Sequence, residues 1–255
     1  MVFDTHCHIH DEAYDSDREA VIRRAFAAGV QYMMFPGTDL PTSSAAVALT
    51  HRYEGVYAAV GIHPEDAASA TPQGFAQLRK WLREEPKVVA VGEVGLDYHW
   101  PEPSHEIQKA VFIEQVKMAV ELDMPIDIHD REAHGDTLAI LRQYGKGIRG
   151  VFHCYSGSLE MARELLAMGF YFGFTGTTVF PNSKKLKRIA ANLPLERMLI
   201  ETDSPYLTPP PYRGKRNEPA YVRYVAAEIA RLRNMRAEEV ERITMENGKR
   251  IFNIP

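Results

Sequence analysis

Eight short apolar runs recur along the chain, at 2–5, 30–35, 56–62, 88–92, 124–128, 149–152, 170–174 and 197–201. They are rich in β-branched residues, and the segments between them carry helical spacing instead. Arg18 to Ala28, Phe75 to Leu82, Ile107 to Leu122, Thr137 to Tyr144, Leu159 to Met168 and Leu186 to Leu193 are such segments. Gly29, Gly145 and Gly169 follow three of them, where a left-handed residue ends a helix and feeds the next strand. Near-continuous runs such as Val88-Val89-Ala90-Val91 imply strands buried on both faces, as in a parallel sheet covered by helices. Eight such units predict an α/β fold, a closed (β/α)8 TIM barrel, with the helical stretch 217–253 packed outside as a C-terminal addition. An open doubly wound sheet is the alternative. It fits less well, because Asp4-Thr5-His6-Cys7-His8 follows the first run where a dinucleotide-binding sheet needs a glycine-rich turn.

No linker, low-complexity tract or composition shift divides the 255 residues, so residues 1–255 are expected to form a single domain. With 30 Lys and Arg against 34 Asp and Glu the net charge is −4, which argues against coating long duplex DNA by overall charge. No apolar stretch reaches the ~20 residues that cross a bilayer, and no signal-like segment precedes His6. Two cysteines, Cys7 and Cys154, are too few for a disulfide framework. The expectation is a cytoplasmic protein with no membrane association and no obligate protein partner.

The chemistry lies at the ends of the predicted strands. His6 and His8, two apart in extended chain, face the same way about 6.5 Å apart along the backbone. Glu93, His129 and His153 each follow directly on another run, and Asp203 stands two residues beyond the last, from strands four, five, six and eight. Singly, a polar residue at a strand end is ordinary solvation. Together, at the one mouth where barrel active sites sit, four imidazoles and two carboxylates suit two divalent cations, with zinc, manganese or magnesium as candidates. Glu93 is the expected bridge, with His6, His8 and Asp203 completing one site and His129 and His153 the other. Cys7 points away from the histidine pair and, like Cys154, reads as a small packing residue. His10 reads as a loop or substrate-facing residue; His51, His99, His105 and His134 read as surface or helix-face residues.

Five motifs in order, Asp4-Thr5-His6-Cys7-His8, Gly92-Glu93-Val94-Gly95-Leu96-Asp97-Tyr98, Pro125-Ile126-Asp127-Ile128-His129-Asp130-Arg131, His153-Cys154-Tyr155-Ser156-Gly157 and Glu201-Thr202-Asp203-Ser204-Pro205-Tyr206-Leu207, resemble those of the TatD family of metal-dependent deoxyribonucleases. The resemblance spans essentially the whole chain. It implies a TIM barrel of the amidohydrolase-like kind, a divalent-metal centre and 3′ to 5′ exonuclease action on DNA ends. It also implies that His6, His8, Glu93 and Asp203 hold one metal, and Glu93, His129 and His153 the second. His10 stands where the family more often has Asp or Asn, and Gly135 where an acidic residue is common. Wider relatives bridge their metals with a carboxylated lysine from strand four. Here the nearby lysine, Lys87, lies at the wrong end of that strand, leaving the bridge to Glu93.

The expected reaction is hydrolysis of a phosphodiester, an ester-bond cleavage at single-stranded DNA ends, by hydroxide from a water whose pKa a bound metal lowers toward about 7. Asp203 is the expected proton acceptor. Glu201, two residues earlier, is either a direct participant or an orienting group. His63 closes the third strand and is expected to contact phosphate or donate a proton to the leaving oxygen, unless it only supports its loop. Arg131 is a candidate phosphate clamp and Tyr98 a candidate base-stacking ring. Lys184, Lys185, Lys187 and Arg188 form one basic run and Arg213-Gly214-Lys215-Arg216 another; Arg213 of the second is the expected substrate contact. The alternative reading keeps the centre but assigns it a small amide or ester substrate.

Overall fold

The structure, a computed structural model, describes residues 1–255. Eight strands stand in chain order, alternating with helices, in the (β/α)8 barrel arrangement. The chain divides into two compact units, residues 1–35 with 154–255 and residues 36–153.

In the first unit, β1 (Val2–Asp4) is followed by α1 (Arg18–Ala27) and β2 (Val30–Pro36), whose last residue opens the second unit. The unit resumes with α6 (Leu159–Ala167), β7 (Tyr171–Phe174), α7 (Lys184–Asn192), β8 (Met198–Ile200), α8 (Val222–Arg233) and α9 (Ala237–Ile251). β1 pairs parallel with β2, and β7 with β8. The C-terminal stretch is therefore two helices, and both pack on β1 and β8. Gly248 of α9 lets that helix approach β1 closely, since a Cβ there would meet the Phe3 ring at 2.6 Å. Gly29 and Gly169 end their helices with φ of +88° and +92°, as the sequence predicts.

The second unit holds α2 (Leu40–Thr50), β3 (Val56–Val60), α3 (Pro72–Glu84), β4 (Val88–Asp97), α4 (His105–Glu121), β5 (Ile126–Arg131), α5 (His134–Tyr144) and β6 (Gly150–Phe152). β3 to β6 pair in parallel succession. All ten residues of β4 are buried, which is the two-sided burial expected of a covered parallel strand. β4 and β5 run past the predicted ends at 92 and 128, so Glu93 and His129 lie within their strands rather than just after them. The reason is that Val94 and Leu96 continue the burial on one side, and His129 to Arg131 pair with Gly95 to Asp97 on the other. The β4 register slips by one residue between Val91 and Val94, a bulge that re-aims Glu93. Gly92 is needed there, because a Cβ would meet Asp127 Cβ at 2.5 Å. At α5 the expected left-handed glycine is displaced: Gly145 has φ −100°, and Gly147 makes the turn at +82°.

Candidate metal centre

In the first unit, backbone hydrogen bonds tie the segment after β1 to the end of β8 and the segment after it. Thr5 N–H donates to the Ile200 carbonyl, Asp203 N–H to that of His6, and His8 N–H to that of Ser204. This extended backbone turns His6 and His8 to one side, with their Nε2 atoms 3.1 Å apart. Asp203 has φ +54°, a left-handed backbone that costs a non-glycine residue energy. Its Oδ1 lies 3.5 Å from His8 Nε2 and 3.8 Å from His6 Nε2. The chain before it is locked by Asp4, whose carboxylate accepts the Thr202 N–H (2.8 Å) and hydroxyl (2.6 Å). Burial pushes the Asp4 carboxyl up to about 7. Glu201 is fully buried and accepts hydrogen bonds from Cys154 N–H and the Thr5 hydroxyl, as an orienting group does. Cys7 is buried with its thiol directed at the Met34 carbonyl, and Cys154 lies against Thr175.

The second unit gathers four residues. Glu93 Oε1 stands 2.9 Å from His129 Nδ1, 2.9 Å from His153 Nε2 and 3.5 Å from His63 Nε2. His129 Nδ1 and His153 Nε2 are 3.4 Å apart. Burial opposes protonation of His129, but its hydrogen bonds to Asp97 and Glu93 outweigh that and raise its pKa. Asp97 is held below the usual carboxylate range. Burial works against this, and the His129 contact and the His99 N–H win.

The donor chemistry of both clusters fits divalent cations. His6, His8 and Asp203 offer three ligand atoms within 4.8 Å of one another, as do His63, Glu93 and His129. A tetrahedral ion with bonds of ~2.0–2.1 Å to nitrogen needs about 3.3 Å between its imidazole ligands, close to the separation at His6 and His8. Sequence reasoning gave His63 no ligand role, yet its ring stands in ligand range of Glu93. Nothing around Gly61-Ile62-His63-Pro64 signals this without the fold. Asp97 was passed over as well, although it sits in the motif that ends at Tyr98.

The expected substrate contacts are differently placed. Tyr98 stacks on His105 with ring centroids 3.6 Å apart and donates its hydroxyl to Asp136, so one face of the ring is already covered. In the same loop Trp100 is 48% exposed. Arg131 is nearly half exposed, with Nη1 3.9 Å from Asp97 Oδ2. Arg213 is exposed and rests on the Phe180 ring, 3.9 Å from its centroid. Its neighbour Arg216 is instead structural, pairing with Asp17 and the Ala13 carbonyl and lying over Tyr14. In the other basic run, Lys187 pairs with Glu228 and Lys185 donates to the Ser156 carbonyl. His10 is deeply buried at Nδ1, and its ring lies 5.7 Å from that of His8. His51, His99 and His134 each face a carboxylate, from Glu85, Glu132 and Asp130.

A (β/α)8 barrel with histidine and carboxylate clusters at strand ends defines a metal-dependent hydrolase class. A family model described as TatD related DNase matches residues 3–253. The chain is 48% identical to the uncharacterized metal-dependent hydrolase YabD of Bacillus subtilis over the whole of both chains. It is 37% identical to the 3′-5′ ssDNA/RNA exonuclease TatD of Cronobacter sakazakii, over 98% of this chain and 97% of that one. The crystal structure of YjjV, a TatD homologue from Escherichia coli K12, superposes with a TM-score of 0.93 at 34% identity, covering 100% of this chain and 98% of that one. The chain belongs to the TatD-related DNase family of metal-dependent hydrolases. No helix is long and apolar enough to cross a membrane.

Proposed function

We propose that residues 1–255 act as one domain, a divalent-metal-dependent 3′ to 5′ exodeoxyribonuclease that hydrolyses phosphodiesters at single-stranded DNA ends. Two ions, zinc, magnesium or manganese, would be held by His6, His8, Glu93 and Asp203 on one side and by Glu93, His129 and His153 on the other. The observation that carries this reading is that each unit gathers a cluster of histidine and carboxylate ligand atoms at the C-terminal ends of its strands, the end where (β/α)8 barrels carry their active sites. The exonuclease named among the relatives supports the substrate class. Bound divalent ions supply Lewis acidity and lower the pKa of water.

The chain's own residues do the rest. Asp203, held in a left-handed backbone, offers a carboxylate oxygen as the proton acceptor, a role that an imidazole committed to metal cannot take. His63 Nδ1 accepts the Glu65 N–H, so the neutral ring carries its proton on Nε2, the nitrogen that faces Glu93. In this reading the proton goes to the leaving oxygen, and His63 serves as a donor rather than a ligand. Glu201 orients rather than reacts, since both its oxygens are engaged. Arg213, preorganised on Phe180, and Arg131 hold phosphate, and Trp100 supplements the open face of Tyr98 as a stacking surface for bases.

The test is shortening of end-labelled single- and double-stranded oligonucleotides by metal-loaded protein, with and without chelator. Chelator-sensitive shortening from the 3′ end is expected. Its absence, together with turnover of an amide or ester panel, would replace this reading with a small-molecule hydrolase.

A further inference from the structure

We infer that Asp97 is a positioning residue that fixes the tautomer and aim of His129, and that Gln108 of α4 holds Asp97 in place to do so. The inference rests on the proposed function only in taking His129 as a metal ligand.

Asp97 is fully buried at the end of β4, and each of its polar groups has an assigned partner. Oδ2 lies 2.9 Å from His129 Nε2, and Oδ1 accepts the His99 N–H at 2.9 Å. The main chain is pinned by one side-chain amide. Asp97 N–H donates to Gln108 Oε1 (2.9 Å), and Gln108 Nε2 donates to the carbonyls of Asp97 (2.8 Å) and Pro103 (2.9 Å). Gln108 is itself buried, so its amide acts as a substitute strand partner on the side of β4 away from β5, where pairing with β3 has ended at Val91.

A carboxylate is an acceptor only, so the hydrogen between Asp97 Oδ2 and His129 must sit on Nε2. The neutral ring then has its lone pair on Nδ1, the atom 2.9 Å from Glu93 Oε1 and 3.4 Å from His153 Nε2. Carboxylate, imidazole and ligand-facing nitrogen are thus in the order by which a partner on the far ring nitrogen sets ligand basicity and orientation. The same carboxylate holds the loop that carries Trp100 through the His99 N–H. The aromatic loop and the ligand ring therefore share one anchor.

The test is Asp97→Asn in the full chain. The Asn carbonyl can still accept the His99 N–H, but its amide then presents N–H to His129 Nε2 and favours the hydrogen on Nδ1. Zinc affinity is measured by competition with a chromophoric chelator, and histidine tautomers by long-range 15N–1H correlation on 15N-histidine protein. One of two zinc-binding steps is expected to weaken about 10- to 100-fold, with the other unchanged. Zinc binding indistinguishable from wild type would overturn the inference. Should the variant fail to fold, the wild-type spectrum decides. Zinc-loaded His129 with hydrogen on Nε2 supports the inference, and hydrogen on Nδ1 refutes it. Wild-type protein that binds no zinc would sink this inference and the metal-centre reading together, whereas absent nuclease activity with intact zinc binding touches only the proposed substrate.

Discussion

At the residue scale the proposed chemistry turns on Asp203 and Glu93, which differ in what their loss should do. Asp203→Asn keeps an oxygen near His6 and His8 but cannot accept a proton, so oligonucleotide shortening should fall by roughly 10²–10⁴ while most of the metal is retained. Elemental analysis beside the rate assay checks both halves. Glu93→Gln should lower metal content itself, because Glu93 Oε1 is the common neighbour of His129, His153 and His63. The six expected ligands stand out in the sequence because each closes or nearly closes an apolar run, and the structure gathers His6, His8 and Asp203 in one cluster and Glu93, His129 and His153 in another. His63 was legible only as a strand end. The signal missing there is the proximity of Glu93, which depends on a bulge in β4 that a run of Val, Gly and Glu does not announce.

At the element scale α4 does more than cover the sheet. Gln108 and Gln115 lie seven residues apart on one helical face, and Gln115 repeats the clamp one strand away. It accepts the Ile62 N–H at 2.7 Å and donates to the Ile62 carbonyl at 3.0 Å, directly before His63. Gln115→Leu strands two buried backbone groups and should destabilise the protein by about 2–5 kcal/mol, read in urea or thermal melts. A shift under about 0.5 kcal/mol would show the clamp to be idle. Polar residues inside a helical pattern read from sequence as solvent-facing, which hid this pair. α2 escaped for a related reason. Its small Ala, Ser and Thr residues give little periodic contrast, although Asp39 and Thr42 form a capping box at its start. In the first unit, Gly173 of β7 leaves room for the Glu201 carboxylate, which an added Cβ would strike. Gly173→Ala should therefore displace Glu201 and cost activity out of proportion to its size.

At the scale of the whole molecule, a net charge of −4 means that attraction of the proposed DNA substrate would fall to local cations. Arg213→Ala should weaken oligonucleotide binding and reduce its salt slope by about 1, with little effect on melting. Arg216→Ala should do the reverse, because Arg216 is spent on Asp17 and Tyr14. The hydrogen bond from Arg216 holds the Asp17 carboxyl below the usual carboxylate range, with a second from Arg24. The stability this supplies is complete above the unfolded carboxylate value near ~3.9 and is lost as pH falls through the lower folded value. Asp17 is about a third exposed, so solvent screening limits the effect to at most about 1 kcal/mol. Asp17→Asn should melt earlier than wild type at pH 7 and converge with it as pH falls below the lowered folded value. The barrel order was legible because two-sided burial writes continuous apolar strands, whereas surface networks such as this one join residues nearly 200 positions apart.

Anomalous diffraction from manganese-loaded crystals tests the shared centre most directly. Two peaks roughly 3.5–4 Å apart, with Glu93 reaching both, His6, His8 and Asp203 at one and His129 and His153 at the other, are the predicted result. A single peak, or two with Glu93 outside either coordination sphere, would contradict it.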